Sequence, residues 1–237
     1  MVKAMTDAAR VLTFTGETRA GKRRLDAAID TLIIAGWTGR DAEAVEAHIA
    51  ELEHLGIPRP RRTPIFYRVG AALLTTSGAI EVAGGDSSGE VEPVIVSLAD
   101  GLWVGVGSDH TDRVAERIGI TVAKQLCPKP LAPALWPYDE VAAHWDRLIL
   151  RSHAVIGGER RLYQEGSVAA LRPPAELISR YRDGDGGLAP GSVMFCGTLP
   201  VSGGIVPAGR FEIELDDPVL GRRIGHAYDI VTLPVEG

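Results

Sequence analysis

The sequence has few cysteines and no long apolar run. Its two cysteines, Cys127 and Cys196, have neither CxxC spacing nor a nearby histidine pair, which argues against a zinc-finger site. One disulfide between them stays open, but we expect free thiols in a reducing compartment, the cytoplasm. No apolar segment approaches the about 20 residues that a membrane span requires. The N-terminus also lacks the continuous apolar core of a signal peptide.

An excess of positive charge is also missing, since the 237 residues carry a formal net charge of -6. No basic run with interleaved aromatic residues occurs, and aromatic residues make up only 5% of the chain. These features argue against nucleic acid or an anionic membrane as the main partner. The composition is otherwise typical of a soluble globular protein, with 45% hydrophobic and 24% charged residues.

Alternating and β-branched segments predominate, so the sequence predicts a β-rich α+β fold with few short helices. Strands are predicted for "VLTFTGE", for most of residues 66–106 and for the last 45 or so residues of the chain. The clearest helix is "RDAEAVEAHIAELEHLG", with Asp41 as its N-cap and Val45, Ile49 and Leu52 on one face.

Two glutamates lie two positions apart in the predicted strand "GEVEPVIVSL". Glu90 and Glu92 share one face of that strand, and Val94 and Val96 continue the face. Carboxylates about 6 to 7 Å apart repel each other unless water or a cation lies between them. The pattern therefore indicates either a metal site or an exposed edge strand, and Pro93 is compatible with both.

Three further features are ambiguous when each is taken alone. Asp109 follows the glycine-rich strand "LWVGVGS", where it is either a site residue or a turn residue. His48 and Glu51 share a helix face and form either an oriented general base or a solvated pair. Lys124, which follows Asp109 by 15 residues, indicates nothing by itself.

The order of these features resembles the fumarylacetoacetate hydrolase superfamily over roughly residues 30 to 232. "LIIAGWTGRDAEAVEAHIAELEHLGIPRPRRTPIFYR" is similar to that family's glycine-ended strand, HxxE helix and P..P..F segment. "GEVEPVIV" is similar to its ExE metal strand, and "SDHTDR" to its Asp-x-Ser/Thr-x-Arg segment. "AKQLCPKPLAP" is similar to its lysine and proline loop, and "GGLAPGSVMFCGTLPVSGGIVPAGRFEIEL" to its GT-containing ending.

The resemblance implies a fumarylacetoacetate hydrolase-type mixed β-sandwich or β-roll around a central metal site. It implies a catalytic domain over residues 30–237, preceded by a strand and helix segment over residues 1–29. Mg²⁺ is the implied ion, with Mn²⁺ as the alternative and Ca²⁺ as a substitute in crystals. The implied residues are Glu90, Glu92 and Asp109 for the metal, His48, Glu51 and Lys124 for catalysis, and Arg113, Thr198 and Thr111 for the substrate.

The implied function is hydrolysis of a C–C bond in a 2-oxo acid or 1,3-dicarbonyl compound such as an acylpyruvate. A decarboxylase, hydratase or isomerase of a related keto acid is an alternative, and a homodimer is expected. Three carboxylates, a divalent ion and Lys124 would balance in charge. Two departures, a short segment from Glu92 to Asp109 and the altered turn Gly197–Pro200, favour a second hypothesis, a non-catalytic metal-containing scaffold.

Overall fold

The computed structural model describes residues 10–54, 59–184 and 186–236, apart from the side chains of His48, Glu51 and Leu52. The α-helices are α1 (Ala42–His54), α2 (Ile120–Leu126), α3 (Tyr138–Val141) and α4 (Pro174–Arg182). The strands are β1 (Arg10–Thr18), β2 (Gly21–Ile29), β3 (Thr31–Gly36), β4 (Ile65–Val69), β5 (Leu74–Thr75), β6 (Ala79–Ala83), β7 (Ser87–Ser88), β8 (Val91–Leu98), β9 (Gly101–Ser108), β10 (Thr111–Asp112), β11 (Lys129–Pro130), β12 (Ala134–Pro137), β13 (Ile149–Ile156), β14 (Glu159–Ser167), β15 (Ser192–Phe195), β16 (Arg210–Asp217) and β17 (Arg222–Leu233). None of the helices in these residues has the length and apolar character needed to span a bilayer.

The largest sheet has eight strands in the order β2-β1-β12-β9-β8-β15-β3-β4. Apolar side chains from strands across the sheet form one buried cluster, including Phe14, Leu32, Val94, Leu135 and Phe195. These side chains form one apolar cluster, and the sheet is curled around it. The sheet therefore forms a roll with its own apolar interior.

A five-stranded sheet in the order β14-β13-β16-β17-β6 packs against the outside of this roll. The cluster between the two layers includes Ile95 and Met194 from the roll and Leu150 and Ile213 from the smaller sheet. Helix α4 contributes Leu177 to the same cluster. The predicted β-rich α+β fold is therefore confirmed, with two packed β layers and few helices.

Strand β8 lies in the middle of the large sheet, between β9 and β15, so the edge-strand interpretation of "GEVEPVIV" is wrong. Val91 and Ile95 point into the cluster between the layers. Val94 and Val96 point into the roll. Because side chains alternate along a strand, Glu92 lies on the roll side as well.

Pro93 is tolerated within this central strand because of where β15 ends. The last paired residues of β15 and β8 are Phe195 and Val94. The Pro93 carbonyl accepts a hydrogen bond of 3.0 Å from the backbone N–H of Cys196, just beyond that pair. The proline nitrogen points to the same side, where the regular ladder has already ended.

The prediction of a strand and helix segment over residues 1–29 was wrong for the part that the structure describes. Strands β1 and β2 form an antiparallel hairpin with nine paired positions. Leu25, Ala27 and Ile29 are buried and alternate with exposed residues, which is the period of a strand. Strand β1 also pairs with β12, so the hairpin extends the large sheet. The division between residues 29 and 30 stays a prediction.

Helix α1 begins where its capping residue predicts. The Asp41 carboxylate accepts hydrogen bonds from the backbone N–H groups of Glu43 and Ala44, at 2.9 and 3.1 Å. These bonds satisfy donors that have no partner within the helix. Cys127 and Cys196 are both free and buried, as expected.

Candidate metal centre

The β8–β9 hairpin brings the three predicted metal ligands together at its open end. Its two eight-residue strands are joined by a two-residue turn at positions 99–100. Glu90 precedes β8 and Asp109 follows β9, and the Asp109 N–H donates to the Glu90 carbonyl at 2.9 Å. Glu92 follows within β8, and ligand atoms of the three carboxylates lie within 4.8 Å of one another. The short segment from Glu92 to Asp109 therefore does not separate them.

Glu90 is held by Arg113. An Arg113 Nη2 atom lies 2.9 Å from Glu90 Oε1, and the same guanidinium pairs with Glu116 at 3.1 Å. Arg113 Nε also donates to Ser88 Oγ at 2.7 Å. The predicted contact of Arg113 with a substrate stays a prediction.

Glu92 is held by the backbone of the GT turn. The N–H of Gly197 donates to Glu92 Oε2 at 2.6 Å, and Glu92 is only 2% exposed. Gly197 has φ +102°, and a Cβ atom there would overlap the Thr38 hydroxyl, so both the backbone angle and the space require glycine. The Thr198 hydroxyl donates to the Val91 carbonyl at 2.8 Å and fixes the turn against β8.

Asp109 is fully buried between two lysine ammonium groups. Lys124 Nζ hydrogen bonds to Asp109 Oδ2 and lies 3.6 Å from Glu90 Oε2. Lys129 Nζ lies 3.2 Å from Asp109 Oδ1 and also donates to the His110 carbonyl. Among the described residues, Asp109 Oδ1 receives no well-aligned hydrogen bond, because the Lys129 contact has ion-pair distance without hydrogen-bond geometry.

These contacts shift the ionisation of the buried groups in opposite directions. Burial raises the pKa of Glu92, and repulsion from Asp109 and Glu90 adds to that effect. Burial also opposes ionisation of Asp109, but Lys124 and Lys129 outweigh it and lower the pKa of that carboxyl. Burial opposes protonation of Lys124, but Asp109 and Glu90 outweigh it and raise the pKa of the ammonium. Ionisation is therefore favoured at Asp109, which lies beside Lys124 and Lys129, and disfavoured at Glu92.

A buried polar chain supports the backbone of the centre. The His110 Nε2 atom lies 2.9 Å from Ser87 Oγ, and Nδ1 lies 3.1 Å from the Tyr228 hydroxyl. Tyr228 donates to Ser108 Oγ at 2.7 Å, and Ser108 Oγ accepts from the N–H of Glu90. Burial lowers the pKa of His110 to about 3, so this histidine is neutral at pH 7.

The donor set suits a hard divalent cation. Carboxylate oxygens are the ligands preferred by Mg²⁺, Mn²⁺ and Ca²⁺, and three carboxylates each offer one such oxygen here. The expected charge balance was incomplete, because the centre holds more charged groups than the metal ligands and Lys124. In chain order, its charged side chains are Glu90, Glu92, Asp109, Arg113, Glu116, Lys124 and Lys129.

Of the remaining predicted site residues, the structure describes the surroundings of Thr111 but not the side chains of His48 and Glu51. Thr111 is fully buried and its hydroxyl donates to the Asp109 carbonyl at 2.8 Å, so it stabilises the turn and offers no exposed surface to a substrate. His48 and Glu51 belong to α1, but their side chains lie outside the described part of the chain. The predicted His48–Glu51 dyad therefore stays a prediction.

Three residues of the centre were not predicted from the sequence: Lys129, Glu116 and Tyr67. Lys129 stands between two prolines and has no periodic pattern that predicts burial. Glu116 follows Arg113 by one helical turn, which is the spacing that could have indicated their ion pair. The Tyr67 ring lies 5.8 Å from Lys124 Nζ, a contact between distant segments.

Residues 35–228 match a family model described as "Protein of unknown function (DUF2848)". The chain belongs to the DUF2848 family. No curated protein matches the sequence of this DUF2848 protein.

Several solved structures have the same fold. A fumarylpyruvate hydrolase from Pseudomonas aeruginosa, in complex with Mn²⁺ and pyruvate, is 18% identical with a TM-score of 0.61, covering 98% of this chain and 100% of that chain. A candidate fumarylpyruvate hydrolase from Burkholderia cenocepacia is 21% identical with a TM-score of 0.62, covering 99% and 97%. A candidate fumarylacetoacetate hydrolase family protein from Yersinia pestis CO92 is 17% identical with a TM-score of 0.62, covering 92% and 100%. The predicted resemblance to that superfamily is thus confirmed at the level of the fold.

The contact between Gly197 and Glu92 can be tested by adding a single methyl group. We expect Gly197→Ala to lower Mn²⁺ affinity by about 10- to 100-fold, the usual effect of losing a partner of a metal ligand. The methyl group would overlap Thr38 and displace the N–H that holds Glu92. Titration calorimetry with Mn²⁺ measures this change.

Gly203→Ala is the matched control for that substitution. Gly203 also has a positive φ, +78°, but a Cβ atom there meets nothing within 4 Å. It should share the backbone cost of alanine and keep its affinity for Mn²⁺. Equal affinities of the two variants would show that the Gly197 amide does not hold Glu92 for the metal.

Proposed function

We propose that this protein is a divalent-metal-dependent enzyme that hydrolyses a C–C bond in an acylpyruvate or a related 1,3-dicarbonyl acid. The observation that carries the proposal is the convergence of Glu90, Glu92 and Asp109 within 4.8 Å at the open end of one hairpin. Support comes from the fold, which a fumarylpyruvate hydrolase crystallised with Mn²⁺ and pyruvate shares. The ion we propose is Mg²⁺ or Mn²⁺, held by these three carboxylates.

The charges of the centre favour an anionic substrate. Counted with every group ionised, four carboxylates face three cationic side chains and leave a formal charge of one negative unit. A divalent ion turns this into one positive charge, and such a centre attracts the carboxylate of a keto acid. When bound, the ion supplies Lewis-acid stabilisation of the negative charge that develops on the substrate's oxygen as the C–C bond breaks.

Lys124 is the cation best placed to act on the substrate. Its ammonium lies beside Glu90 Oε2 and Asp109 Oδ2, on the side where the carboxylates converge. Its neighbours raise its pKa, so it stays protonated and contributes a fixed positive charge. We assign it the role of stabilising the enolate oxygen rather than that of a base.

The base that activates water is assigned to His48, with Glu51 orienting its ring. The two residues are three positions apart on α1 and therefore share a face of the helix. The loop before α1 packs against the centre, since Thr38 fills the space beside Gly197. His48 would take a proton from the water that attacks the acyl carbonyl, and the proton would return to the carbon of the leaving enolate.

Loss of a metal ligand should remove both metal binding and turnover. Glu92→Gln keeps the size of a buried side chain and removes its charge, so the fold should survive. We expect Mn²⁺ affinity to fall at least about 100-fold, because losing a ligand exceeds the effect of losing a ligand's partner. Turnover of fumarylpyruvate with Mn²⁺, followed by pyruvate release, should fall to background, as it should for the native protein with a chelator.

Glu81→Gln is the control, because Glu81 is an exposed glutamate of β6 outside the centre. It should match the native protein in both assays. Undiminished Mn²⁺ binding by Glu92→Gln would contradict the metal assignment. Normal Mn²⁺ binding by the native protein, without turnover of any acylpyruvate, would support the metal centre and favour the non-catalytic scaffold.

Removal of the proposed base should separate hydrolysis from metal binding. We expect His48→Ala to lower kcat at least about 100-fold, the size of a typical general-base contribution, while Mn²⁺ affinity stays unchanged. His54→Ala is the control, since His54 is an exposed histidine near the end of the same helix. A His48→Ala protein that hydrolyses the substrate with normal kcat would exclude His48 as the base.

A further inference from the structure

Each of the three carboxylates has one oxygen beside a fixed cationic or N–H group of the protein. Arg113 Nη2 lies 2.9 Å from Glu90 Oε1. The Gly197 N–H donates to Glu92 Oε2 at 2.6 Å. The third pair is formed by Asp109 and the buried ammonium of Lys129.

Lys129 is the donor that faces the third carboxylate. Its ammonium lies 3.2 Å from Asp109 Oδ1, and neither side chain has any exposed surface. Lysine is almost never fully buried unless it is paired, because the charged head loses its hydration. Lys129 is also fixed by its hydrogen bond to the His110 carbonyl and by the short β11 strand, which pairs with β5. Lys129 therefore makes a fixed ion-pair contact with the Oδ1 atom of Asp109.

Two of the carboxylates have their second oxygen beside Lys124. The Lys124 ammonium hydrogen bonds to Asp109 Oδ2 and lies 3.6 Å from Glu90 Oε2. Glu90 and Asp109 thus each have one oxygen on the Lys124 side and the other beside Arg113 or Lys129.

We propose that Lys129 is a positioning residue that restricts Asp109 to a single ligand oxygen, and that Lys129, Arg113 and the Gly197 amide together make the centre select Mn²⁺ or Mg²⁺ over Ca²⁺. The proposal deepens the proposed function and rests on its metal centre. Ca²⁺ takes six to eight oxygens and readily uses both oxygens of a carboxylate. Mg²⁺ and Mn²⁺ prefer six ligands, so three single oxygens leave three positions for water and a substrate.

The test compares the dissociation constants of Mn²⁺ and Ca²⁺ by calorimetry for the native protein, Lys129→Met and Lys22→Met. The native protein should bind Mn²⁺ at least about tenfold more tightly than Ca²⁺. In Lys129→Met the ratio of the two constants should fall at least about fivefold, because the freed Asp109 oxygen becomes a second ligand for Ca²⁺. Lys22→Met removes the same charge from an exposed lysine of β2 and should leave the ratio unchanged.

Arg113→Met provides a second measurement if Lys129→Met fails to fold, as judged by circular dichroism. The Arg113 side chain is 15% exposed, and its loss frees Glu90 Oε1 for the same second contact. It should shift the ratio towards Ca²⁺ as well. An unchanged ratio in the variants that fold overturns the inference and leaves the proposed function intact. Absence of all metal binding by the native protein overturns both.

Discussion

The mutual repulsion of three carboxylates, two of them buried and Glu90 partly buried, is the constraint on which the centre depends. Glu90, Glu92 and Asp109 are brought within 4.8 Å by the backbone, not by attraction between their side chains. Buried anions so close together persist only if cations and N–H groups surround them. Arg113, Lys124 and Lys129 supply the charges, and the neighbouring turn supplies the amide.

The fold keeps the three carboxylates close together by fixing the backbone around them from several directions. The tight β8–β9 hairpin sets Glu90 opposite Asp109, and their backbones share a hydrogen bond. Gln164 of β14 links the second sheet to the centre, since its amide accepts from the Val91 N–H and donates to Thr198 and Leu199. The roll and the outer sheet therefore hold the same few backbone atoms in place. Such rigidity suits a site whose chemistry depends on the direction of individual oxygens.

The sequence predicted the parts of the fold that local patterns encode. The capping residue Asp41 and the β8 strand itself could be read from local patterns. The grouping of Glu90, Glu92 and Asp109 as one metal site came from the resemblance of the motif order to the fumarylacetoacetate hydrolase superfamily. The β2 strand was missed because its outer positions are lysine, arginine and aspartate, and only three alternating apolar residues mark it. Two placements also depend on pairing between distant segments: the central position of β8, and the burial of Lys129 beside Asp109. No local pattern carries the information on these two placements. The charge balance predicted for the centre omitted Lys129, and it also omitted the ion pair of Arg113 and Glu116.

The most direct test of the account is a crystal structure grown with Mn²⁺ and measured at the manganese absorption edge. The account predicts an anomalous difference peak bound by one oxygen from each of Glu90, Glu92 and Asp109, with Lys129 still beside the other oxygen of Asp109. A well-ordered crystal without a manganese peak at these three carboxylates would contradict it.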